Sequence, residues 1–171
     1  WDWEKARDFC TMCLPYIDVL FGIEPYHLWK DEQDHQTGDV KDGVPFQPDF
    51  KQQDEVFHGF VKRYPNIKCI ARHVRYAHSC SENSLMAYLW YDGKTYESQK
   101  LRFHILDRVG GGDAFVSGII YALMNEYKPQ DIADFGVAES AVKHTIHGDG
   151  NITDDVSLIE HIMQMNFDIK R

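Results

Sequence analysis

Apolar and polar positions along the chain fall into runs of two periods. Over residues 3–14 the spacing predicts an amphipathic helix that Pro15 ends, with Phe9, Cys10, Cys13 and Leu14 able to share one face. Ile17–Gly22 (IDVLFG) is a short apolar run bounded by Pro15 and by Gly22 and Pro25, as a buried strand should be. Residues 30–50 are polar, with Gly and Pro interspersed, and predict a long surface loop or insertion. QQDEVFHGFVKRY returns to helical spacing, with Val56, Phe57, Phe60 and Val61 on one side, and Ile67–Ala71 predicts another buried strand. In LMAYLWYDGKTYES, Asp92-Gly93 is a hairpin signal between two β-prone runs. Phe103–Leu106 predicts a strand, and helices are expected from Asp113 to about Tyr127, from Asp131 to Thr145 and over Val156–Met165. Ile132, Phe135 and Val142 mark a face of the second, and Gly148 is placed to cap its end. Strands alternating with helices predict an α/β domain with a largely parallel sheet covered on both faces.

The 171 residues are enough for one such domain with a real core. A formal net charge of -9 makes the chain a poor default partner for nucleic acid or an anionic membrane, so neither is expected. An anionic ligand would need a local device. No apolar run is long enough to cross a membrane as a helix. The chain opens on Trp1, and WDWEKARDFC carries no basic region or apolar signal core. The expectation is therefore a fragment of a longer protein, cytoplasmic, with its four cysteines reduced. Cys10 and Cys13 form one C-x-x-C without a second pair at zinc-ribbon spacing. They read as two small residues packing on a helix, or as a metal or redox pair.

The chemistry concentrates in ILDRVGGGDAFVSGIIYALM (Ile105–Met124), where three glycines deliver a strand into a helix and Asp113 stands on its first turn. Such a turn leaves free backbone N–H groups at the positive end of the helix dipole, and missing side chains let a phosphate approach the backbone. A plain tight turn with a helix-start aspartate has the same composition. The run is neither a Walker A loop nor G-x-G-x-x-G, since Phe115 stands where the last glycine should be.

DRVGGGDAF resembles the D-[TR]-x-G-[AG]-G-D-x-F signature of the ribokinase-like (PfkB) carbohydrate kinases. ARHVRYAHSCSENSLMAYLWYDG is similar to the segment that precedes this signature in 2-keto-3-deoxygluconate kinases, and ESAVKHTIHGDGN (Glu139–Asn151) to the helix and turn that follow it. LPYIDVLFGIE resembles the strand on the metal side. The resemblance covers residues 1–24 and 67–160, and 25–66 weakly. It implies a Rossmann-like three-layer α/β/α sandwich. It also implies that residues 1–171 are the C-terminal, ATP-side portion of such a kinase, without the N-terminal half that carries the sugar-binding residues and the β-sheet lid.

By the same resemblance, Asp113 is the catalytic base that takes the proton of a sugar hydroxyl, while the backbone of Gly110, Gly111 and Gly112 stabilises the transferring phosphoryl group. Asp107 matches a position tied to a monovalent cation; fixing the turn through nearby N–H groups is its alternative role. Arg72, Arg75 and Arg108 suit phosphate contact, and His147 and Asn151 fall near the nucleotide. ATP and Mg²⁺ are the implied cofactors. The implied reaction is ATP-dependent phosphorylation of 2-keto-3-deoxygluconate to its 6-phosphate. Another sugar such as fructose or ribose, or a non-catalytic nucleotide-binding relative, are the alternatives. A homo-oligomer of the full-length parent, formed through its lid, is also compatible. One departure stands out: where an N-x-x-E motif is expected, Ile23 and Tyr26 occupy its ends, leaving Glu24 as the nearby carboxylate for metal handling.

Overall fold

A computed structural model of the chain describes residues 3–22, 40–41, 44–45, 49–152 and 155–164. The elements are α1 (Trp3–Cys13), a 3-10 turn (Leu14–Tyr16), β1 (Val19–Phe21), β2 (Val40–Lys41), β3 (Val44–Pro45), α2 (Phe50–Arg63), β4 (Cys69–Ala77), β5 (Glu82–Tyr91), β6 (Lys94–Glu97), β7 (Leu101–His104), α3 (Gly111–Met124), α4 (Pro129–Lys143) and α5 (Val156–Met163). Within the expected 30–50 loop, β2 and β3 form a small antiparallel pair, and most of the segment lies outside the described residues. The chain forms two compact units, Trp1–Arg72 with Trp90–Thr95, and His73–Leu89 with Tyr96–Arg171.

In the first unit α2 begins at a capping box. Asp49 accepts from the Gln52 N–H, and the Gln52 side chain accepts from the Asp49 N–H. Its buried face is Gln53, Phe57 and Phe60, spaced four and three residues apart as a helix requires, while Val56 and Val61 stay half-buried. β1 pairs with β4 in parallel, Val19 opposite Cys69 and Phe21 opposite Ala71. The entry to β4 is pinned by Asn66, whose Nδ2 donates to the carbonyls of Leu14 (2.9 Å) and Ile17 (2.8 Å). Of the face expected on α1, Leu14 alone is fully buried. Cys10 is half-buried, Phe9 and Cys13 are exposed, and both cysteines are free thiols.

The sheet order is β1-β4-β5-β6, with β7 also on β5. It is mixed, where the alternation of elements predicted a largely parallel sheet. The reason is loop length. Residues 78–81 and 92–93 are too short to cross over, so the consecutive strands they join must run antiparallel. Asp92 and Gly93, both at positive φ (48° and 78°), make the second of these turns. β7 adds a further antiparallel pair, Glu82 opposite His104 and Leu85 opposite Leu101.

In the second unit α3 and α4 pack with their backbones in close approach. A Cβ on Gly118 would lie 2.9 Å from Glu139 Cβ and 3.1 Å from Gly136 Cα, and one on Gly136 would lie 2.6 Å from Ile119 Cδ1. Phe115, Ile119 and Ala122 of α3 and Ile132, Phe135 and Ala138 of α4 are buried. α4 starts at Pro129, two residues before the expected Asp131, because proline suits the first helical position. Past its end, His144 is buried, its Nδ1–H donating to the Ser140 carbonyl (2.6 Å) and its ring 5.0 Å from that of Phe103. Burial, with lesser contributions from the charges of Lys143, Arg75 and Arg108, holds its pKa below the ordinary 6.5.

Two stability predictions follow from this packing. Gly118→Ala should destabilise by about 1–3 kcal/mol despite alanine's better helix propensity, since Glu139 Cβ and Gly136 Cα cannot swing aside. Gly59→Ala in α2, with nothing within 4 Å of its Cβ, should stabilise by about 0.5–1 kcal/mol. Urea unfolding of the pair decides it: equal shifts would refute the close approach of α3 and α4. For His144, the unfolded chain takes up a proton before the folded chain does. The stability due to the neutral ring is therefore complete above pH 6.5 and is lost as pH falls through that value toward the lower folded pKa. His144→Gln should lose less stability than wild type between about pH 7.5 and about pH 5.5; parallel profiles would show that the ring is not held neutral.

Candidate active site

The glycine run sits where β7, after Leu106 and Asp107, turns into α3. The helix begins at Gly111, two residues before Asp113, so Gly111 and Gly112 are part of its first turn and Gly110 is its N-cap. Gly110 and Gly111 are required for different reasons, and Gly112 differs from both. Gly110 is left-handed (φ 79°), and a Cβ there would lie 2.1 Å from the Asp149 carbonyl oxygen. Gly111 is buried, and a Cβ there would come 2.4 Å from His144 Cε1. Gly112 is exposed, has no left-handed φ, and a Cβ there would meet nothing within 4 Å. The conformational freedom expected of the whole run is thus used at Gly110 alone. Among the described residues no packing demands a glycine at 112.

The first well-formed helical bond of α3 runs from the Ala114 N–H to the Gly110 carbonyl (2.9 Å). The N–H groups of Gly112 and Asp113 precede it and have no helical carbonyl to bind. Asp113 is exposed, and its carboxylate has no hydrogen bond or ion pair among the described residues. An open glycine, free amides at a positive helix end and an unengaged carboxylate therefore meet on one turn.

The turn is tied down on both sides. Asp107 Oδ1 accepts from the Val109 N–H (3.0 Å), and Oδ2 accepts from the Gly148 N–H (2.9 Å) of the turn that follows α4. These N–H groups, Val109 first, hold its pKa below the usual carboxylate range. The Leu106 and Asp107 N–H groups both donate to the His144 carbonyl (2.8 and 3.2 Å), and the Ser140 hydroxyl donates to the Gly111 carbonyl (2.8 Å). Lys143 is fully buried, its Nζ donating to the Ile146 carbonyl (3.0 Å).

The other expected site residues divide. Arg75 is exposed on β4, and Arg108 donates through Nη2 to the Cys80 carbonyl (2.9 Å); both lie close enough to His144 for their charges to act on it. Asn151 donates through Nδ2 to Glu139 Oε1, and burial raises the pKa of that carboxyl. His147 is exposed between Ile146 and Gly148. Arg72 belongs to the first unit, where it is buried and donates to Gln53 Oε1 (2.8 Å). Glu24, with Ile23 and Tyr26, lies outside the described residues. Among the described residues no three His, Cys, Asp or Glu side chains gather as a metal cage.

Sequence reading passed over Ser140, Lys143 and His144. A signal was present: a lysine and a histidine close a helix otherwise rich in Ala, Gly, Val, Phe and Ile, and such a helix is buried nearly all round.

No family model matches the chain. It is 26% identical over 150 residues to a 2-dehydro-3-deoxygalactonokinase of Haloferax volcanii, a match over 87% of this chain and 39% of that protein. Its fold superposes on a 2-dehydro-3-deoxygluconokinase from Thermotoga maritima with a TM-score of 0.79 at 25% identity, over 96% of this chain and 46% of that one. Against a PfkB family carbohydrate kinase from Listeria grayi the TM-score is 0.74 at 27% identity, over 94% and 45%. The chain spans less than half the length of each of these proteins. In sequence and in fold it is similar to the PfkB, ribokinase-like carbohydrate kinases, and it carries part of their α/β architecture.

Proposed function

We propose that residues 1–171 are the C-terminal, nucleotide-side portion of an ATP-dependent sugar kinase. Its reaction is transfer of the γ-phosphoryl group of ATP to the 6-hydroxyl of 2-keto-3-deoxygluconate. Gly112 carries this reading: it is exposed, backed by free amides, and left without a side chain for no packing reason, with the Asp113 carboxylate next to it. Similarity to kinases of 2-dehydro-3-deoxy sugar acids supports the acceptor class.

In this reading the N–H groups of Gly112 and Asp113 and the dipole of α3 receive phosphoryl oxygens. Arg75 and Arg108 add positive charge beside them in a chain that is negative overall. Asp113 accepts the proton of the sugar hydroxyl as its oxygen attacks phosphorus. A carboxylate at an anion site weakens binding of a phosphate, so its place there favours catalysis over mere nucleotide binding. Mg²⁺ would enter with the nucleotide phosphates and borrow one or two carboxylates, which suits a chain whose described residues form no metal cage. Asp107 keeps a second lone pair on each oxygen for a monovalent cation. His147 and Asn151, on the turn after α4, are the proposed neighbours of the nucleotide.

Calorimetric titration of the chain with Mg-ATP, beside an ADP-release assay of the full-length kinase with 2-keto-3-deoxygluconate, tests this. Gly112→Val should leave the thermal midpoint nearly unchanged, because its side chain meets nothing, yet weaken nucleotide binding at least about tenfold by blocking the amides. Wild-type binding in that variant would show that the run is only a turn. In the full-length enzyme Asp113→Asn should lower kcat by about 10²–10⁴-fold while nucleotide affinity holds or rises. Near-normal turnover would remove Asp113 from the base role. Binding without phosphoryl transfer in the wild-type enzyme would favour a regulatory relative.

A further inference from the structure

Lys143 is the most deeply buried charged side chain among the described residues, at 0% exposure. Its ammonium has three N–H donors and makes one hydrogen bond, to the Ile146 carbonyl, with no carboxylate in ion-pair range among the described residues. A buried ammonium so sparsely paired is costly to the fold, and an apolar side chain of the same length would fill the space at lower cost. Its position gives the cost a purpose. Cε lies 3.1 Å from the point where a Cβ on Gly110 would sit, so the stem runs beneath the first glycine of the turn. The head holds the Ile146 carbonyl, which opens the segment that gives the Gly148 N–H to Asp107 and sets the Asp149 carbonyl against Gly110. Its charge also reaches Asp107 and His144, on either side of the run.

We propose that Lys143 is the positioning residue of the glycine turn. It ties the 146–150 segment against Gly110 and sets its cationic head beside the peptide groups of the turn, readying them for phosphate oxygens. Being fully buried, it acts through the backbone and does not touch the nucleotide. The phosphate part of this inference rests on the proposed kinase reading; the bracing part does not.

Two variants separate the roles. Lys143→Met removes both charge and hydrogen bond at similar length, and Lys143→Gln keeps a donor but no charge. Each chain is titrated with Mg-ADP by calorimetry, followed by thermal unfolding, and the amide exchange of Val109 and Gly148 is recorded by NMR. The expected result is thermal midpoints equal to or above wild type, Mg-ADP affinity at least about tenfold weaker in both variants, and faster exchange in Lys143→Met at the Val109 and Gly148 amides that bind Asp107. Loss of folding in both variants would assign the lysine to the core and overturn the proposal. So would folded variants with wild-type affinity and unchanged turn exchange. If the wild-type chain itself fails to bind Mg-ADP, the kinase reading of the chain fails. Exchange at Val109 and Gly148 then decides the bracing: unchanged rates in Lys143→Met overturn it.

Discussion

The backbone of Gly111 lies against the imidazole of His144 at a separation that no side chain at position 111 would permit. Much of the second unit's geometry depends on this contact. It sets where α3 starts relative to where α4 ends, and the polar groups around it follow. Ser140, one turn earlier on α4, reaches the Gly111 carbonyl, while the His144 carbonyl collects the N–H groups of Leu106 and Asp107 as the chain leaves β7. The two helices can come this close because Gly118 and Gly136 let their backbones approach further along. Strand, glycine turn and both helix ends are thereby fixed by α4, a helix whose buried positions lie nearly all round its circumference.

Fixing the turn in this way leaves its outer side free. Backbone amides at a helix start are weak anion ligands singly, and they become effective when they are held in place and kept apart from competing acceptors. Here the inner carbonyl of Gly111 is taken by Ser140 and the carboxylate of Asp107 by Val109 and Gly148, so these two neighbouring acceptors are already engaged. The amides of Gly112 and Asp113 belong to exposed residues and have no helical carbonyl to bind. Local charge has the same sense. The chain carries a net -9, yet the groups that act on His144 are Lys143, Arg75 and Arg108. A solvent-exposed field is screened within about 8–10 Å at physiological salt, so nearby cations govern what approaches this turn more than the distant acidic surface does.

Much of the fold was legible along the chain because local rules dictated it. The helical spacing of Phe57 and Phe60, the Asp92-Gly93 turn and the proline bounding α1 each depend on neighbours a few residues away. Errors arose where a distant group decided the outcome. The helix start moved from Asp113 back to Gly111 because Gly110 takes the left-handed conformation beneath the Asp149 carbonyl, a partner far off in sequence. Phe9 and Cys13 hold helical positions yet stay exposed, since amphipathic spacing states only what a face can do. The sheet came out mixed because loop length constrains strand direction more strongly than the alternation of element types.

The sequence by itself determined that a glycine-rich turn would deliver a strand into a helix with an aspartate on its first turn, and that this pattern resembles a sugar-kinase signature. Identity and spacing suffice for that, because glycine's missing side chain and aspartate's charge are properties of the residues themselves. Only the tertiary structure decided which glycine serves which purpose. Gly110 answers to backbone conformation and to Asp149, Gly111 to the ring of His144, and Gly112 to nothing among the described residues. It also decided that Lys143, and Arg72, which the resemblance suited to phosphate contact, are buried, one beneath the turn and the other against Gln53. Burial and long-range contact depend on how separate segments pack, and no local pattern of residue types specifies that.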